Sequence, residues 1–353
     1  MDRLKLYEEL ARHLDSGVAV GAPLSNSLIK ILMLLFPPDQ AEVALKLPFT
    51  NKSLDEIKEM FPDQVDSIEE TLEKMVKNGT VYTDNKPGRG KRFRLFPSVV
   101  GWAETPFWSG KKTEQNTQLA PLWREYRNEG FGEELARNDM PVMRVVPVET
   151  SLKEESEILP FDVLKPIIDR TSYAAVGFCP CRLGATYSGD GCDHETENCL
   201  HFGSMARFMV EHGMAREITK EKTLEIVKAA DEEGLVHIID NIDGHMSTIC
   251  NCCSCCCAFI TTRNKLGLNT LSESNYVAVV DADECIACSN CEERCPVNAI
   301  VLGDNDFSSV DETLCLGCGV CVPTCDSDAV ALVKKAEIKL PPAVNEFITA
   351  RLK

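Results

Sequence analysis

Eight cysteines between residues 285 and 325 stand in two copies of one spacing, C-x2-C-x2-C-x3-C. This run holds four-iron, four-sulfur clusters. Iron prefers soft, deprotonated sulfur ligands, and three thiolates at this spacing fit one turn of backbone around a cube corner. The two copies are Cys285, Cys288, Cys291 and Cys295, then Cys315, Cys318, Cys321 and Cys325. The spacing therefore predicts two [4Fe-4S] clusters.

The fourth cysteine of each copy lies too far along the chain to complete the cluster of its own copy, and we expect it to cross to the other one. The predicted first cluster is bound by Cys285, Cys288, Cys291 and Cys325. The predicted second cluster is bound by Cys295, Cys315, Cys318 and Cys321. A zinc site or a set of disulfides is the alternative. Zinc sites with paired C-x2-C units do not usually triplicate the spacing or repeat it as a unit, so iron–sulfur clusters are favoured.

The sequence around the cysteines is duplicated with them. Residues 279–301 align with residues 309–331 at one fixed offset, and each half predicts a strand, a cluster loop, a half-turn of helix and a return strand. On these residues, 276–335 resemble a bacterial two-cluster ferredoxin, a family that transfers single low-potential electrons. Asp326 stands where the first repeat has Pro296. Its negative charge would lower the potential of the nearer cluster.

Length and composition narrow the class of protein. The chain has 353 residues, 18 cysteines and a formal net charge of -18, which allows two or three domains. The first residues lack the apolar run of a signal peptide, and the most apolar stretch, 28–36, is short and contains Lys30. We therefore expect a cytoplasmic protein without a membrane segment, its thiols reduced and metal-bound. The acidic charge favours solubility or docking on a basic redox partner, and disfavours nucleic acid and anionic membranes.

The fold class expected is α+β multidomain. Residues 1–100 predict successive helices over 4–14, 26–36, 53–60 and 64–77, with Ser53 and Asp63 as caps, then a β-hairpin. This order resembles a winged-helix module. The hairpin tip is basic, but the helix in the recognition position is acidic, which favours protein docking over DNA binding. The basic residues are Lys86, Arg89, Lys91, Arg92 and Arg94.

Residues 101–159 predict a connector with a helix around 119–128 and three tryptophans, Trp102, Trp108 and Trp123, in a buried aromatic core. Residues 160–270 predict a cysteine-rich α/β domain. Its expected elements are a helix over 161–170, a strand over 173–178, helices over 200–212 and from Thr219 to Gly234, and a strand over 235–239. Cysteines at the ends of strands indicate loops that meet at one site.

Ten cysteines fall in two patches of this domain, about fifty residues apart. They are Cys179, Cys181, Cys192, Cys199, Cys250, Cys252, Cys253, Cys255, Cys256 and Cys257. Six cysteines in eight residues cannot all point into one core, so we expect at least one further iron–sulfur cluster with ligands from both patches. Zinc on Cys179, Cys181, Cys192 and Cys199 is less favoured, because regular zinc-finger spacing is missing. Spare thiolates would serve as a dithiol pair or bind a substrate or a second metal.

The whole pattern combines a CPCR patch, an ICNCC-x-CCC patch and a two-cluster ferredoxin segment over 271–339, followed by a tail over 340–353. It resembles uncharacterised cytoplasmic ferredoxin-type proteins of anaerobic microbes, and the resemblance implies cofactors but no particular reaction. Four histidines lie near the ten cysteines: His194, His201, His237 and His245. His194 and His201 flank Cys199 and are candidates for a ligand or a proton carrier. Arg182 is a candidate to stabilise thiolates or an anionic substrate.

The sequence therefore predicts an electron-transfer protein or an oxidoreductase subunit. Electrons would pass between the two ferredoxin clusters and the cysteine-rich centre. No Rossmann glycine fingerprint precedes a helix, so a partner, such as a flavin- or metal-containing oxidoreductase, must supply or accept the electrons. A redox-responsive transcriptional regulator, in which the clusters control the winged-helix module, is the alternative. A cluster carrier is a third possibility.

Overall fold

The computed structural model describes residues 2–86, 88–152, 159 and 162–352. Within these residues the fold is mixed α+β, and its strands form four separate sheets. None of the helices in the described part of the chain is both long and apolar enough to cross a membrane.

Five helices occupy the first eighty residues: α1 (Arg3–Leu14), α2 (Asn26–Leu35), α3 (Pro38–Ala44), α4 (Leu54–Met60) and α5 (Ile68–Lys77). Ser53 and Glu56 form the expected capping box at the start of α4. The helix expected from Gln64 begins only at Ile68, because Pro62–Gln64 forms a separate 3-10 turn. Helix α3 was not expected, since consecutive prolines indicated a stop. Pro38 instead occupies the first turn, where its missing N–H leaves no bond unmade.

The expected hairpin follows α5. Strands β1 (Lys52–Ser53), β2 (Val81–Lys86) and β3 (Gly90–Leu95) form an antiparallel sheet in the order β1-β3-β2. Phe93 and Leu95 of β3 are buried in the core that the helices share. The expected helices and hairpin follow one another as the sequence indicated, with α3 and the short strand β1 added between them. The assignment to the winged-helix class stays a prediction.

The segment after the hairpin contains α6 (Glu114–Tyr126) and α7 (Gly132–Leu135). Gly130, at φ +121°, turns the chain between them. Trp102 and Trp108 are buried, as expected, whereas Trp123 is only partly buried. The connector therefore contributes buried side chains to the hydrophobic core and is not a loose linker.

A six-stranded sheet forms the centre of the molecule. Its strands are β4 (Met143–Val146), β5 (Ala174–Gly177), β6 (Cys199–Phe202), β7 (Arg216–Ile218), β8 (Val236–Asp240) and β9 (Thr248–Cys252). Their order is β4-β8-β9-β6-β5-β7, and each neighbouring pair is antiparallel. The expectation of an α/β core was therefore wrong, because that class needs parallel strands joined by helical crossovers.

Five α-helices lie between residues 162 and 266: α8 (Leu164–Asp169), α9 (Pro180–Tyr187), α10 (Gly203–Glu211), α11 (Lys220–Glu233) and α12 (Ala258–Leu266). Thr219 caps α11, and Gly234 ends it at φ +75°, as the sequence indicated. The helix expected from Leu200 starts only at Gly203, because residues 199–202 form strand β6, which pairs with β5 and β9. Of the helix expected over 161–170, Phe161 lies outside the described residues.

The eight-cysteine segment contains β10 (Tyr276–Val280), α13 (Asn290–Arg294), β11 (Ile300–Leu302), β12 (Ser308–Val310) and β13 (Val330–Lys334). Strand β10 pairs with β13 and β11 pairs with β12, both antiparallel. Each half thus has a strand, a cysteine loop, one short turn of helix and a return strand.

The segment expected to be a tail contains α14 (Val344–Arg351). Arg351 is fully buried, and its guanidinium donates to the backbone carbonyls of Ala19 at 2.9 Å and Glu134 at 3.4 Å, and to that of Arg137. Residues more than three hundred positions apart are therefore joined by one side chain.

Candidate metal centres

One small cavity is lined by three cysteines of the first repeat and one of the second. They are Cys285, Cys288, Cys291 and Cys325. Cys288 is exposed and Cys291 is buried, so the cavity lies close to the protein surface. The hydroxyl of Ser308, at the start of β12, lies 3.5 Å from the Cys291 sulfur.

A second small cavity has the reciprocal composition. It is lined by Cys295 of the first repeat and by Cys315, Cys318 and Cys321 of the second. The last three are 5 to 7% exposed, and apolar side chains such as Val297 and Ile300 complete the wall. This cavity is therefore more deeply buried than the first.

The two cysteine loops share one backbone conformation. Ala287 and Ser289 have positive φ angles of 55° and 63° in the first loop. The residues thirty positions later are Gly317 and Gly319, with φ angles of 64° and 76°. A side chain at Gly317 would collide with the carbonyl of Tyr276, so glycine is needed there. The left-handed residues turn each loop around its cavity.

The surroundings of the sulfurs fit a bound metal cluster. Burial raises the pKa of Cys318 to about 12, so this thiol would stay neutral without a nearby cation. Backbone N–H groups nevertheless point at sulfurs: that of Ala299 lies 3.2 Å from the sulfur of Cys295, and that of Gly317 lies 3.4 Å from that of Cys315. Buried thiols supplied with hydrogen-bond donors suit thiolates that bind iron, since such bonds tune cluster potentials.

Comparison with known proteins identifies part of this segment. Residues 278–301 match the family model of the 4Fe-4S binding domain. The chain therefore contains an iron–sulfur domain that binds at least one [4Fe-4S] cluster. No curated protein matches the chain. No solved structure matches it either.

Four cysteines of the middle region form a compact group, here called the four-cysteine group. Its members are Cys192, Cys253, Cys255 and Cys256, and their sulfurs all lie within 4.8 Å of one another. Cys192 comes from the loop after α9, and the other three come from the turn between β9 and α12. The group therefore takes ligands from both sequence patches and has the ligand number of a [4Fe-4S] or zinc site.

The other six middle cysteines form a neighbouring chain of contacts, here called the six-cysteine group: Cys179, Cys181, Cys199, Cys250, Cys252 and Cys257. Strand pairing explains part of it. Leu200 is opposite Ile249 in the β6–β9 pair, so Cys199 and Cys250 face each other across the two strands. Cys192 lies apart from Cys179, Cys181 and Cys199, so the zinc set considered from the sequence is divided between the two groups.

The thiols within each group compete for ionisation. Hydrogen bonds from Cys199 and Cys252 hold the pKa of Cys250 well below its usual range, while the same bonds, together with burial, raise the pKa of Cys199 and Cys252. In the four-cysteine group, a hydrogen bond from Cys256 lowers the pKa of Cys253 to about 4. Without a metal, a sulfur that becomes a thiolate thus keeps its neighbours protonated. All the sulfurs of a group could ionise together only with a metal bound, because a coordinating thiol loses its proton outright.

Arg182 lies between the two groups. It is 1% exposed and donates to the Asn198 side chain at 2.8 Å and to the Asn251 carbonyl at 2.6 Å. Burial would lower the pKa of Arg182, but electrostatic attraction to the sulfurs of Cys179, Cys253 and Cys252 outweighs burial and raises it. Arg182 therefore lies against sulfurs of both groups, and its role in stabilising thiolates stays a prediction.

The four nearby histidines have different surroundings. His201 is buried, with Nε2 3.2 Å from the Cys199 sulfur and Nδ1 2.9 Å from the Thr248 hydroxyl. Burial lowers its pKa to about 4, so it is neutral near pH 7. His194 instead contacts Glu233 at 3.1 Å. His237 is held by Asp231 and Asn251, and His245 is exposed. Of the two histidines that flank Cys199, the structure brings only His201 to a cysteine among the described residues.

A cavity of about 350 Å³ lies beside both cysteine groups, and sequence analysis did not identify it. Cys181, Cys255 and Cys256 form one side, and Glu104 and Arg127 come from the connector. No spacing in residues 99–135 indicates such a site, because residues that line a cavity need no periodic pattern.

Proposed function

We propose that the protein is an electron-transfer protein or oxidoreductase component that passes low-potential electrons between two [4Fe-4S] clusters and a further centre on the middle cysteines. The observation that carries the proposal is the reciprocal composition of the two small cavities. Each combines three cysteines of one repeat with the fourth cysteine of the other. Two independent metal sites, one per repeat, would not need this exchange.

Under this proposal Cys285, Cys288, Cys291 and Cys325 hold the first cluster, and Cys295, Cys315, Cys318 and Cys321 hold the second. A [4Fe-4S] cluster, when bound, takes up and releases one electron at a time. The exposed Cys288 gives the first site access to a partner. The apolar wall of the second site excludes water.

The surface beside the first site suits a protein partner. Asp281, Asp283 and Glu284 are exposed there, and Ile286 is 62% exposed next to Cys288. An acidic rim around one apolar side chain fits a basic patch on a flavin- or metal-containing oxidoreductase, because complementary charge steers association. Electrons would enter or leave the protein at this surface.

The second site lies toward the middle region. The guanidinium of Arg294, next to Cys295, donates to the carbonyls of Asp231 at 3.3 Å and Glu232 at 2.9 Å, at the C-terminal end of α11. A cation at this end of a helix is favoured by the helix dipole. The contact fixes the second site against the domain that holds the ten other cysteines, and so supports a route from the first site through the second to the middle centre.

The four-cysteine group is the proposed third centre. The four sulfurs lie within 4.8 Å of one another, which is the spacing of ligands around one tetrahedral ion, so a [4Fe-4S] cluster would require them to move apart. Iron is nevertheless favoured because the site adjoins six further thiols and an iron–sulfur domain, a setting that serves electron transfer, whereas zinc has no redox chemistry in proteins.

Iron and acid-labile sulfide analysis of anaerobically purified protein tests the proposal, with electron paramagnetic resonance after reduction. About twelve irons per chain are expected, whereas about eight would confine clusters to the ferredoxin-like segment and remove the third centre. About four irons would remove the two-cluster assignment. Zinc measured on the same sample distinguishes the alternative metal.

The structure gives less support to a DNA-binding regulator. In the hairpin, Arg92 donates to the carbonyl of Asn51, Arg94 stacks on the ring of Tyr82 at 4.5 Å, and Lys91 pairs with Glu73. These cations are engaged within the protein rather than presented to phosphates. An electrophoretic assay on promoter DNA at moderate salt is expected to show no specific binding.

A further inference from the structure

The cavity of about 350 Å³ beside the cysteine groups has the size of a small-molecule site. Its floor is apolar and buried, formed by Phe107, Phe131, Leu135 and Phe259. Its rim contains exposed residues, among them Lys265 and Leu266. A floor closed by aromatic rings and a rim open to solvent suit a flat apolar ligand that enters from solution.

One cationic side chain in the wall of the same cavity has no ion-pair partner. Arg127, half-buried in the wall, has no carboxylate partner at ion-pair distance in the described part of the chain. A half-buried guanidinium without a carboxylate partner is available to bind an anion that enters the cavity.

Charged residues of both signs line the cavity. Arg124, Arg127 and Lys265 face Glu104, Glu125 and Asp190. Arg124 pairs with Asp190. In the described part of the chain, Arg127 and Lys265 line the cavity without an ion-pair partner, so a bound anion would have two cations beside it.

We propose that this cavity binds a small aromatic carboxylate, with Arg127 as the residue that holds the carboxylate group. A guanidinium binds a carboxylate through two parallel hydrogen bonds, and the rings of the floor bury the aromatic body. The bound molecule would lie against Cys181, Cys255 and Cys256. A redox role for the molecule rests on the proposed function, but binding itself does not.

The test uses the full-length, anaerobically purified and unreduced protein. Benzoate, phenylacetate and 3-phenylpropionate are titrated by calorimetry against their amides, which have the same shape without the charge. At least one acid is expected to bind about 10-fold tighter than its amide, as for a charge-assisted hydrogen bond. Absence of binding at about millimolar acid, or equal affinity of acid and amide, would overturn the proposal.

Two variants locate the binding site. Arg127→Gln is expected to weaken acid binding by about 10-fold or more, with Arg216→Gln, an exposed arginine in β7, as the unchanged control. Gly184→Leu is expected to abolish binding, because Gly184 lines the cavity and an added Cβ there meets no atom within 4 Å. Unaltered binding in either variant contradicts the site.

A hydrogen bond with Cys179 is the main cause that lowers the pKa of Cys181, and the charge of Arg127 adds to it, so the metal content of Arg127→Gln is checked as well. Iron is therefore measured on every sample. If Arg127→Gln loses iron, Gly184→Leu decides the question, since it adds bulk without removing a charge. Failure of the two-cluster assignment appears in the iron count, and failure of the ligand site appears in the titrations.

Discussion

The side-chain amide of Asn264 donates a hydrogen bond to the carbonyl of Pro296, 2.8 Å away. Asn264 lies in α12, which begins directly after Cys257, and Pro296 directly follows Cys295. Helix α12 has 9 residues, and at 1.5 Å per residue it is about 13 Å long. One short helix therefore connects the middle cysteines with the wall of the second cavity in the eight-cysteine segment.

Alanine substitutions in pairs test whether the fourth cysteines cross between repeats. Cys288→Ala and Cys325→Ala both remove a ligand of the proposed first cluster. Each is expected to lose about four irons, and after reduction both should show the electron paramagnetic resonance spectrum of the second cluster. Cys318→Ala and Cys295→Ala should both show the spectrum of the first cluster instead. If Cys325→Ala instead matches Cys318→Ala, each repeat holds its own cluster and the exchange is wrong.

The four-cysteine group can be tested separately. Cys192→Ala removes one of its four sulfurs without touching the eight-cysteine segment, so iron is expected to fall from about twelve to about eight per chain. Ser254→Ala, at an exposed residue between Cys253 and Cys255, is the matched control and should keep all the iron. Equal iron in both variants would place the third centre elsewhere or remove it.

The contact between Arg294 and the end of α11 can be tested with two glycines. Gly234 and Gly213 both have positive φ, +75° and +67°, so alanine strains the backbone by about 1 kcal/mol at either position. A Cβ at Gly234 also collides with the Arg294 guanidinium, whereas at Gly213 nothing lies within 4 Å. Gly234→Ala should therefore lower the unfolding temperature more than Gly213→Ala.

A second substitution checks the cause. The collision requires the side chain of Arg294. Adding Arg294→Ala to Gly234→Ala should therefore restore part of the lost stability, so the changes in unfolding free energy of the two single variants should not add up in the double variant. Strict additivity of the two changes in unfolding free energy would show that the packing of Arg294 on α11 contributes nothing.

Arg351→Met tests the buried arginine of α14. Methionine keeps much of the apolar volume but leaves the carbonyls of Ala19, Glu134 and Arg137 without their donor. A buried unsatisfied group costs about 1–3 kcal/mol, so urea unfolding should show a loss of at least about 2 kcal/mol. Arg12→Met, at an exposed arginine of α1, should change stability by less than about 0.5 kcal/mol. Similar losses in the two variants would mean that α14 does not hold the fold together.

Glu104 makes stability depend on pH. Burial raises its folded-state pKa, so above the ordinary glutamate pKa the unfolded chain binds fewer protons than the folded one. The contribution of Glu104 to the free energy of unfolding is complete below the ordinary glutamate pKa. It is lost as the pH rises toward the folded-state pKa, at up to about 1.4 kcal/mol per pH unit. Glu104→Gln keeps the acceptor for the Gly101 N–H, which Glu104 Oε2 binds at 2.8 Å, and should flatten this decline at pH values above 4.5, the ordinary glutamate pKa.

The exposed Glu133 of α7 gives the control, since Glu133→Gln removes a carboxylate that solvent already stabilises. The measurement is the unfolding free energy in urea at several pH values. A decline that stays the same in Glu104→Gln would show that Glu104 is ionised in the folded protein.

Local rules in the sequence predicted much of the fold. Short-range capping signals were read correctly. The capping box of Ser53 and Glu56 begins α4, Thr219 caps the start of α11, and Gly234 ends α11, each where expected. The duplicated cysteine spacing predicted the order of elements in both repeats. These features depend on neighbours within a few residues, which a sequence displays directly.

Long-range pairing was the part that the sequence did not reveal. Leu200 to Phe202 are compatible with a helix, and only the neighbouring strands β5 and β9 make them a strand. The division of ten cysteines into groups of four and six likewise depends on which strands meet. Arg351 looked like a charged residue in a tail, because its partners are carbonyls far away in the chain. Glu104 and Arg127 share a cavity only through tertiary packing.

The hydrogen bond from Arg351 to Ala19 also sets an order of events during biosynthesis. The two residues are 332 positions apart, so at ~5–20 residues per second the ribosome needs about 20–60 s between them. During that interval the carbonyls around Ala19 and Arg137 lack their donor, and all eighteen cysteines emerge before α14 does. Metal insertion into a nascent chain would thus begin on a protein whose first helices are not yet locked in place.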